Sequence, residues 1–333
     1  MYTHSNSTMS WYSSIVLLLL ANYISSNIVK IRDRYDQNII PTCNARVKYL
    51  RCRCQSNEKP ISLHEDFTSP DVRMIEITNC KNVVFEANAI RNKTSLKSVT
   101  LKDISNLILE EFSIYKNVKH KHQTITVTIA NSNIHRVPSF SFKGMSMLQL
   151  VNVTINHISP FAFNSITNMN SIRFFATKVN HIKSQAFRKI TTQHLIMNGC
   201  NFNSVATKAF SNLYVKQNMF VMYSNFSNVK RNAFMIPYTK QMNITNSNFH
   251  DLKNGAFNIQ TASISLRNVH FSKANAGVFA NIRSPRGLGQ TPKFSLNFVT
   301  FSCFNGKNLK INRNSFQPDF KNVYFHTPDK KCG

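Results

Sequence analysis

Side chains that could perform acid–base or metal chemistry are sparse in this sequence. Between Glu111 and Asp319 the chain holds a single carboxylate, Asp251. Glycoside hydrolysis uses two facing carboxylates, and calcium is bound by several oxygen donors that usually include carboxylates. The chain also lacks a Gly-x-Ser-x-Gly motif, a phosphate-binding loop and a His-Glu-x-x-His motif. We therefore expect no catalytic residue, no metal site, no cofactor and no enzymatic activity.

Cysteine chemistry depends on the cellular compartment, and the first residues predict secretion. An apolar run from Trp11 to Ile24 precedes Ser25 and Ser26, which fits a secretory signal peptide over residues 1–26. The run is short for a membrane span. We expect a secreted, extracellular protein, and the alternative is membrane association through an uncleaved signal anchor.

Six of the seven cysteines are disulfide candidates in such a compartment. They are Cys43, Cys52, Cys54, Cys80, Cys303 and Cys332. A bridge between the last two is the natural pairing near the C-terminus, and the other connections stay open. The Cys52-Arg53-Cys54 segment could form half of a zinc site, but no second Cys or His pair follows at zinc-site spacing.

A sequence repeat predicts the elements that position the side chains of this protein. Seven phenylalanines recur at intervals of 21 to 24 residues between Ile125 and Phe279. They are Phe142, Phe163, Phe187, Phe210, Phe234, Phe257 and Phe279. Apolar or small residues stand five and eight positions before each, and an alternating apolar pair such as Leu148/Leu150 stands further upstream. A period of roughly 20 to 30 residues indicates a solenoid whose coils bury their apolar edges by stacking.

This pattern resembles the repeat of the extracellular leucine-rich repeat family. The resemblance rests on the alternating segment, two further apolar positions and a recurring Ala-Phe pair. The pair occurs as Ala162-Phe163, Ala186-Phe187, Ala209-Phe210, Ala233-Phe234 and Ala256-Phe257. The resemblance implies an α/β-type solenoid with short parallel strands on a concave face and a mostly irregular convex side. A right-handed parallel β-helix, as in polysaccharide lyases, has coils of similar length and is the alternative.

The sequence departs from the family at the position that the family gives to Asn or Cys. That position holds Ser132, Val153, Thr177, Cys200, Ser224, Ser247 and Val269. Serine and threonine hydroxyls could satisfy backbone groups of the turn weakly, whereas valine could not. We expect Cys200 to stay unpaired because this position points inward. Cys80 occupies the same position, so a buried thiol is the alternative to a bridge there.

Four segments follow from the period and the cysteines. They are a signal peptide (1–26), an N-terminal lead-in with a Cys-containing cap (27–73), a solenoid of about nine coils (74–282) and a C-terminal loop with a Cys-containing cap (283–333). Caps are expected because the end coils of a solenoid would otherwise expose their apolar edges.

The outward residues of the strands are the candidate binding surface, since solenoids bind partners on the concave face. They include Val151, Arg173, Phe175, Ile196, Phe220, Met222, Tyr223 and Arg267. Most are apolar, and an exposed apolar patch marks a protein partner or a homodimer contact. The alternative is a register shifted by one residue, which would turn these side chains into the core.

Basic residues form a second candidate surface. The formal net charge is +27, from 41 Lys and Arg against 14 Asp and Glu. The excess indicates an anionic partner or a solvated, soluble surface. Stacking would align part of it into a stripe on the convex side or edge, comprising Lys183, Arg188, Lys189, Lys230, Arg231 and Lys253. The stripe could bind heparan-sulfate-like or other anionic glycans, and the secretory signal argues against nucleic acid.

Histidines and sequons complete the candidates. His135, His157, His181 and His250 are expected at corresponding positions, either as a metal or pH-sensitive row or as solvated loop side chains. Four N-glycosylation sequons begin at Asn92, Asn152, Asn225 and Asn243.

Three classes of function remain in competition. A secreted binding protein that engages a protein partner and is retained by anionic glycans fits the Ala-Phe pairs and the scarcity of acids best. The others are a polysaccharide-active enzyme on a β-helix and a structural component of the extracellular matrix.

Overall fold

The computed structural model describes residues 42–46, 48–54, 60–116, 124–285, 287, 292–306, 309–312 and 314–326. The predicted signal peptide, much of the predicted lead-in and Cys332 lie outside the described residues. Within the described part of the chain, no helix is long and apolar enough to cross a membrane.

The chain folds into a β-solenoid of about 11 turns, and no helix occurs among the described residues. The strands are β1 (Thr42–Arg46), β2 (Tyr49–Arg53), β3 (Ile61–Leu63), β4 (Met74–Thr78), β5 (Asn82–Phe85), β6 (Ser98–Lys102), β7 (Asn106–Leu109), β8 (Ile114–Tyr115), β9 (Ile125–Val137), β10 (Phe142–Lys143), β11 (Met145–Ile158), β12 (Phe163–Phe175), β13 (Lys178–Ile182), β14 (Phe187–Asn198), β15 (Asn201–Val205), β16 (Phe210–Met222), β17 (Asn225–Val229), β18 (Phe234–Leu252), β19 (Phe257–Thr261), β20 (Ile264–Asn275), β21 (Ile282–Arg283), β22 (Lys293–Phe301), β23 (Phe304–Asn305) and β24 (Gln317–Phe325).

Each central coil contributes three strand segments, which pair in parallel with the same segments of the neighbouring coils. The first face of the solenoid is built by segments aligned with residues 147–151, as in the pairing of Leu148 with Ile172. The second face is built by segments aligned with 154–158. The third face begins at the recurring phenylalanine, as in the pairing of Phe163 with Phe187.

The predicted core is confirmed. Both members of each alternating pair are buried, and so are the apolar residues five and eight positions before each recurring phenylalanine. The seven recurring phenylalanines are also buried and stack on one another, with ring centroids 4.6 to 6.1 Å apart. This spacing follows the roughly 4.8 Å separation of neighbouring parallel strands. A second buried stack runs through Phe202, Phe226 and Phe249.

The α/β-type architecture implied by the family resemblance fits less well than the alternative, a parallel β-helix. The stretch after the Ala-Phe pair forms a third strand, as in the Phe163–Ile166 part of β12, instead of an irregular convex side. The physical reason is that Phe163 and Ile166 are both buried and both pair with the coil beside them. Strands therefore surround the core on all three faces, and the predicted concave face is one side of a closed coil.

The turn between the first and second faces is tight and repeats in every coil. Its corner residue has a positive φ, as Asn131 (48°) and Asn152 (52°) do. The hydroxyl of Ser224, one position after the corner, donates to the Met222 carbonyl (2.8 Å) and accepts from the Cys200 amide (3.1 Å). The expected role of serine at the family's Asn position is thus observed.

The N-terminal end is covered by β1, which pairs antiparallel with β2. Two bridges lie there, Cys43–Cys52 and Cys54–Cys80. Cys80 is therefore a bridge partner and not a buried thiol, although it occupies the inward position. Parallel pairing reaches beyond the predicted solenoid at both ends, through β2 on one side and through β22 and β24 on the other.

Two further cysteines can be placed. Cys200 is a free, buried thiol, as expected. Cys303 is disulfide-bonded, and its partner lies outside the described residues. The bridges indicate an oxidising compartment, because disulfides are rare where thiol-reducing systems operate.

Candidate functional site

Seven of the eight predicted binding residues lie on the outer side of the first face, so the assumed register is confirmed, and Tyr223 lies at the corner that follows that face. Val151 pairs with Phe175 of the next coil. Ile196 pairs with Phe220 in the same way, one outward position earlier along the strands. These four side chains are half-buried by their strand neighbours. The pairings bring the apolar side chains of four adjacent coils together. We call Val151, Phe175, Ile196, Phe220, Met222 and Tyr223 the central patch.

Two predicted arginines lie at different distances from the central patch. Arg173 is paired with Ile196 and is half-buried at the patch edge. Arg267 is exposed and is separated from Met222 by the coil that carries Thr245. Arg173 therefore belongs to the patch, whereas Arg267 borders a separate groove beside Phe298.

The corner between the first and second faces changes composition at the central patch. Amide or carboxyl side chains occupy most corner positions, namely Asn79, Asp103, Asn131, Asn152, Asn246, Asn268 and Asn322. Several form ladders; Asn152 donates to Asn131 over 3.0 Å, and Asn268 donates to Asn246 over 2.7 Å. Four coils depart from this rule, three consecutive ones with Ala176, Gly199 and Tyr223 and a later one with Phe298. The three consecutive coils carry every residue of the central patch except Val151.

Tyr223 is the most unusual residue of the patch. Its φ is 51°, and 63% of its surface is exposed. The left-handed conformation suits Gly, Asn and Asp and costs other L-residues roughly 1–2 kcal/mol. A bulky exposed side chain at such a corner is not explained by folding, because Asn serves the same corner in most coils. The sequence does mark this corner, because Asn directly precedes the inward position in four of the seven repeats, as Asn131, Asn152, Asn246 and Asn268.

Two predicted sequons border the patch. Asn152 is exposed at the corner position of the coil beside Ala176, and Asn243 pairs with Phe220 on the first face. Asn225 belongs to a ladder on the second face, in which its amide donates to Asn201 over 2.9 Å. Asn92 is exposed and contacts Glu65. Glycans on Asn152 and Asn243 would therefore flank the central patch at its two ends.

The predicted basic stripe is divided by the structure. Lys183, Lys230 and Lys253 occupy one column at the corner between the second and third faces, with Ala206 between the first two. Arg231 follows Lys230 in that corner and is exposed. The Lys253 ammonium lies 2.9 Å from the Asp251 carboxylate, so one member is paired with an acid.

The other two members of the stripe lie on the third face. Arg188 pairs with Asn164 of the preceding coil, and its guanidinium lies 5.2 Å from the centroid of the Phe161 ring. Lys189 follows it with a φ of 52° and an exposed side chain.

The predicted histidine row is only partly correct. His157 and His181 are paired and stacked, with centroids 4.9 Å apart. His135 and His250 lie in the neighbouring column, because Arg136 is the residue that pairs with His157 and Asn228 the one that pairs with Asp251. Among the described residues, no group of three or more potential metal ligands occurs.

His157 is nonetheless in an unusual environment. Its Nδ1 atom is buried without a hydrogen-bond partner. Burial is the main factor that lowers the pKa of His157, and the nearby His181, Lys183, His135 and Arg136 lower it further. The imidazole is therefore held in its neutral form. Burial likewise raises the pKa of the Cys200 thiol to about 11, which makes this cysteine unreactive.

Comparisons with known proteins do not assign the chain. No model of a protein family matches it, and no curated protein matches it. The resemblance to extracellular leucine-rich repeats therefore stays a prediction.

Proposed function

We propose that this protein is an extracellular binding scaffold that engages a protein partner through the central patch. The observation that carries the proposal is the coincidence of two departures in the same coils. Phe175, Ile196, Phe220 and Met222 face outward in the three consecutive coils whose corners are Ala176, Gly199 and Tyr223 instead of Asn. Backbone strain and an exposed aromatic side chain that folding does not require indicate a functional constraint.

The chemistry of the patch fits a protein partner. Aromatic residues and methionine are enriched in protein interfaces, and Tyr is prominent among residues that dominate binding energy. Phe220, Met222 and Tyr223 supply these side chains, and Arg173 lies two coils away across Ile196. Only one carboxylate lies between residues 125 and 279, against fifteen Lys and Arg. The partner should therefore present apolar side chains within an acidic surround.

Secretion and non-catalytic action belong to the same proposal. The two bridges at the N-terminal end support an oxidising, extracellular location. Asp251, the single carboxylate of the central coils, contacts Lys253 and has no second carboxylate with which to act. A binding function therefore fits these coils better than polysaccharide cleavage by a carboxylate pair.

The test compares retention of extracellular proteins by the wild type, by F220D/Y223D and by T100D/T128D. The control pair adds the same charge to the same face but in coils outside the patch. We expect one species to be retained by the wild type and by the control and lost by the patch variant. Equal retention by F220D/Y223D, with both variants secreted and folded, would contradict the proposal.

A second copy of the chain is the competing occupant of the patch. Sedimentation of the purified wild type alone distinguishes the cases. A dimer that F220D/Y223D dissociates would assign the patch to self-association, and a monomer would leave it for another protein.

A further inference from the structure

Exposed cations cluster at the corner between the second and third faces. Backbone hydrogen bonds align Lys183, Ala206 and Lys230 at this corner in three consecutive coils. The middle coil has no cation in that column, but it supplies Lys208 two residues after Ala206. Arg231 follows Lys230 in the third coil, and the four cationic side chains are all exposed. We call Lys183, Lys208, Lys230 and Arg231 the basic corner.

The positive charge of the basic corner is not offset within the described part of the fold. None of its four side chains forms an ion pair or a hydrogen bond with a residue that the structure describes. Asp251 is the single carboxylate between residues 125 and 279, and its carboxylate lies 2.9 Å from the Lys253 ammonium. The basic corner therefore retains its donors for an external anion.

The crowding of these charges works against folding. Neighbouring coils are about 4.8 Å apart, so the three coils hold the four cations along roughly 10 Å of the corner. At physiological ionic strength the screening length is about 8 Å, so their mutual repulsion is only partly screened. Solubility needs a net charge but not a local cluster of one sign. A bound anion explains the cluster better than the stability of the fold does.

The chemistry of the basic corner fits a sulfated glycan. Ammonium and guanidinium groups form charge-assisted hydrogen bonds with anionic oxygens. Ser184 follows Lys183 and Thr207 precedes Lys208, and both present exposed hydroxyls that can exchange hydrogen bonds with sugar hydroxyls. The cations follow the axis of the solenoid along one corner, which suits a linear polyanion better than a flat membrane surface. The disulfides at the N-terminal end favour an oxidising compartment, which argues against nucleic acid.

We propose that the basic corner binds a sulfated glycan chain that runs along the solenoid axis, with sulfate groups on Lys183, Lys208, Lys230 and Arg231. Lys208 is an addition to the stripe predicted from the sequence, whereas Lys253 is already engaged by a carboxylate. The proposal does not depend on the central patch, which lies on the first face.

The experiment measures binding of a heparin-derived hexasaccharide to the full-length secreted protein by titration calorimetry over a range of salt concentrations. The wild type is compared with two charge-removal variants, K183Q/K208Q/K230Q/R231Q and the control K81Q/R91Q/K216Q/K240Q. The control removes the same charge from exposed positions elsewhere on the solenoid. Vesicles with a phosphatidylserine-rich surface are the second ligand.

We expect K183Q/K208Q/K230Q/R231Q to bind the hexasaccharide about tenfold more weakly or worse, with a shallower salt dependence, because fewer counterions are released. The control should bind as the wild type does. Equal losses in both variants would overturn the proposal, because binding would then follow total charge alone. Binding of the vesicles without binding of the hexasaccharide would also overturn it, because a membrane would then be the partner.

A gain-of-function pair tests the same site without removing charge. A206K fills the gap in the column, where lysine occupies the equivalent position of both neighbouring coils. Q217K adds the same charge where the third face passes into the first. We expect A206K to bind the hexasaccharide more tightly than the wild type and Q217K do, and equal affinities of A206K and Q217K would contradict the proposal.

Thermal unfolding shows that each variant is folded. K183Q/K208Q/K230Q/R231Q is expected to unfold at a higher temperature than the wild type, because mutual repulsion is relieved. Partner retention by the central patch should be unaffected in all four variants.

Discussion

At the scale of single residues, the environment of His157 on the second face makes the stability of the protein depend on pH. The imidazole stacks on His181, and its Nδ1 atom is buried without a partner. Because burial and nearby positive groups lower its pKa in the folded state, the unfolded chain takes up a proton at higher pH than the folded chain does. Stability contributed by the neutral imidazole is present above the unfolded pKa and is lost as pH falls through the folded pKa.

We therefore expect the free energy of unfolding to fall as pH decreases below about 6.5, the ordinary histidine pKa. His157→Gln should reduce this fall because glutamine does not titrate. Urea unfolding of both proteins over this pH range measures the difference. The same substitution at the exposed His250 is the control. Parallel pH dependence of the wild type and His157→Gln would contradict the account.

A second residue-scale prediction concerns the hydroxyl at the first corner. Ser224 is fully buried and connects the Cys200 amide with the Met222 carbonyl. Ser224→Ala leaves the amide without this acceptor, which should lower the free energy of unfolding by about 1–3 kcal/mol. The exposed Ser184→Ala serves as the control, with an expected change near zero. A loss no larger than that of the control would show that water satisfies the amide.

At the scale of elements, the sequence predicted the coils well and their cross-section less well. The alternating pairs and the recurring phenylalanines identified the inward positions because burial imposes a strict period on each strand. The third strand was not predicted. Its short Phe-x-x-Ile segment, as at Phe163 and Ile166, lacks the alternation that identifies a strand, and the family resemblance implied an irregular stretch there.

The left-handed residues at the corners were not predicted either. A left-handed residue is recognisable where Asn or Gly recurs, as at Asn131 and Gly199, but Tyr223 and Phe140 carry no such signal. Their conformation is imposed by the stacking of neighbouring coils and not by local preference. His135 and His250 fall outside the predicted histidine row because each directly follows an inward residue, whereas His157 and His181 stand two positions after theirs. Cys80 was left open for a related reason: its inward position allows either a thiol or a bridge.

At the scale of the whole molecule, charge and apolar surface are segregated. The central patch lies on the first face, the histidine pair lies on the second, and the column of Lys183, Lys230 and Lys253 lies at the corner between the second and third. A protein bound to the central patch would therefore leave the basic corner uncovered.

The central claim is that Tyr223 lowers the stability of the fold and contributes to partner binding at the central patch. Tyr223→Asn tests this claim most directly. Asparagine suits the left-handed corner and could accept a hydrogen bond from the amide of Asn246 in the next coil, as Asn131 does from Asn152. Tyrosine at this corner costs roughly 1–2 kcal/mol, and most of its ring is in solvent.

The measurement is the unfolding temperature of Tyr223→Asn together with its retention of the partner, each compared with the wild type. We predict that the unfolding temperature rises while retention falls. A variant that unfolds at a lower temperature, or that retains the partner as the wild type does, would contradict the claim.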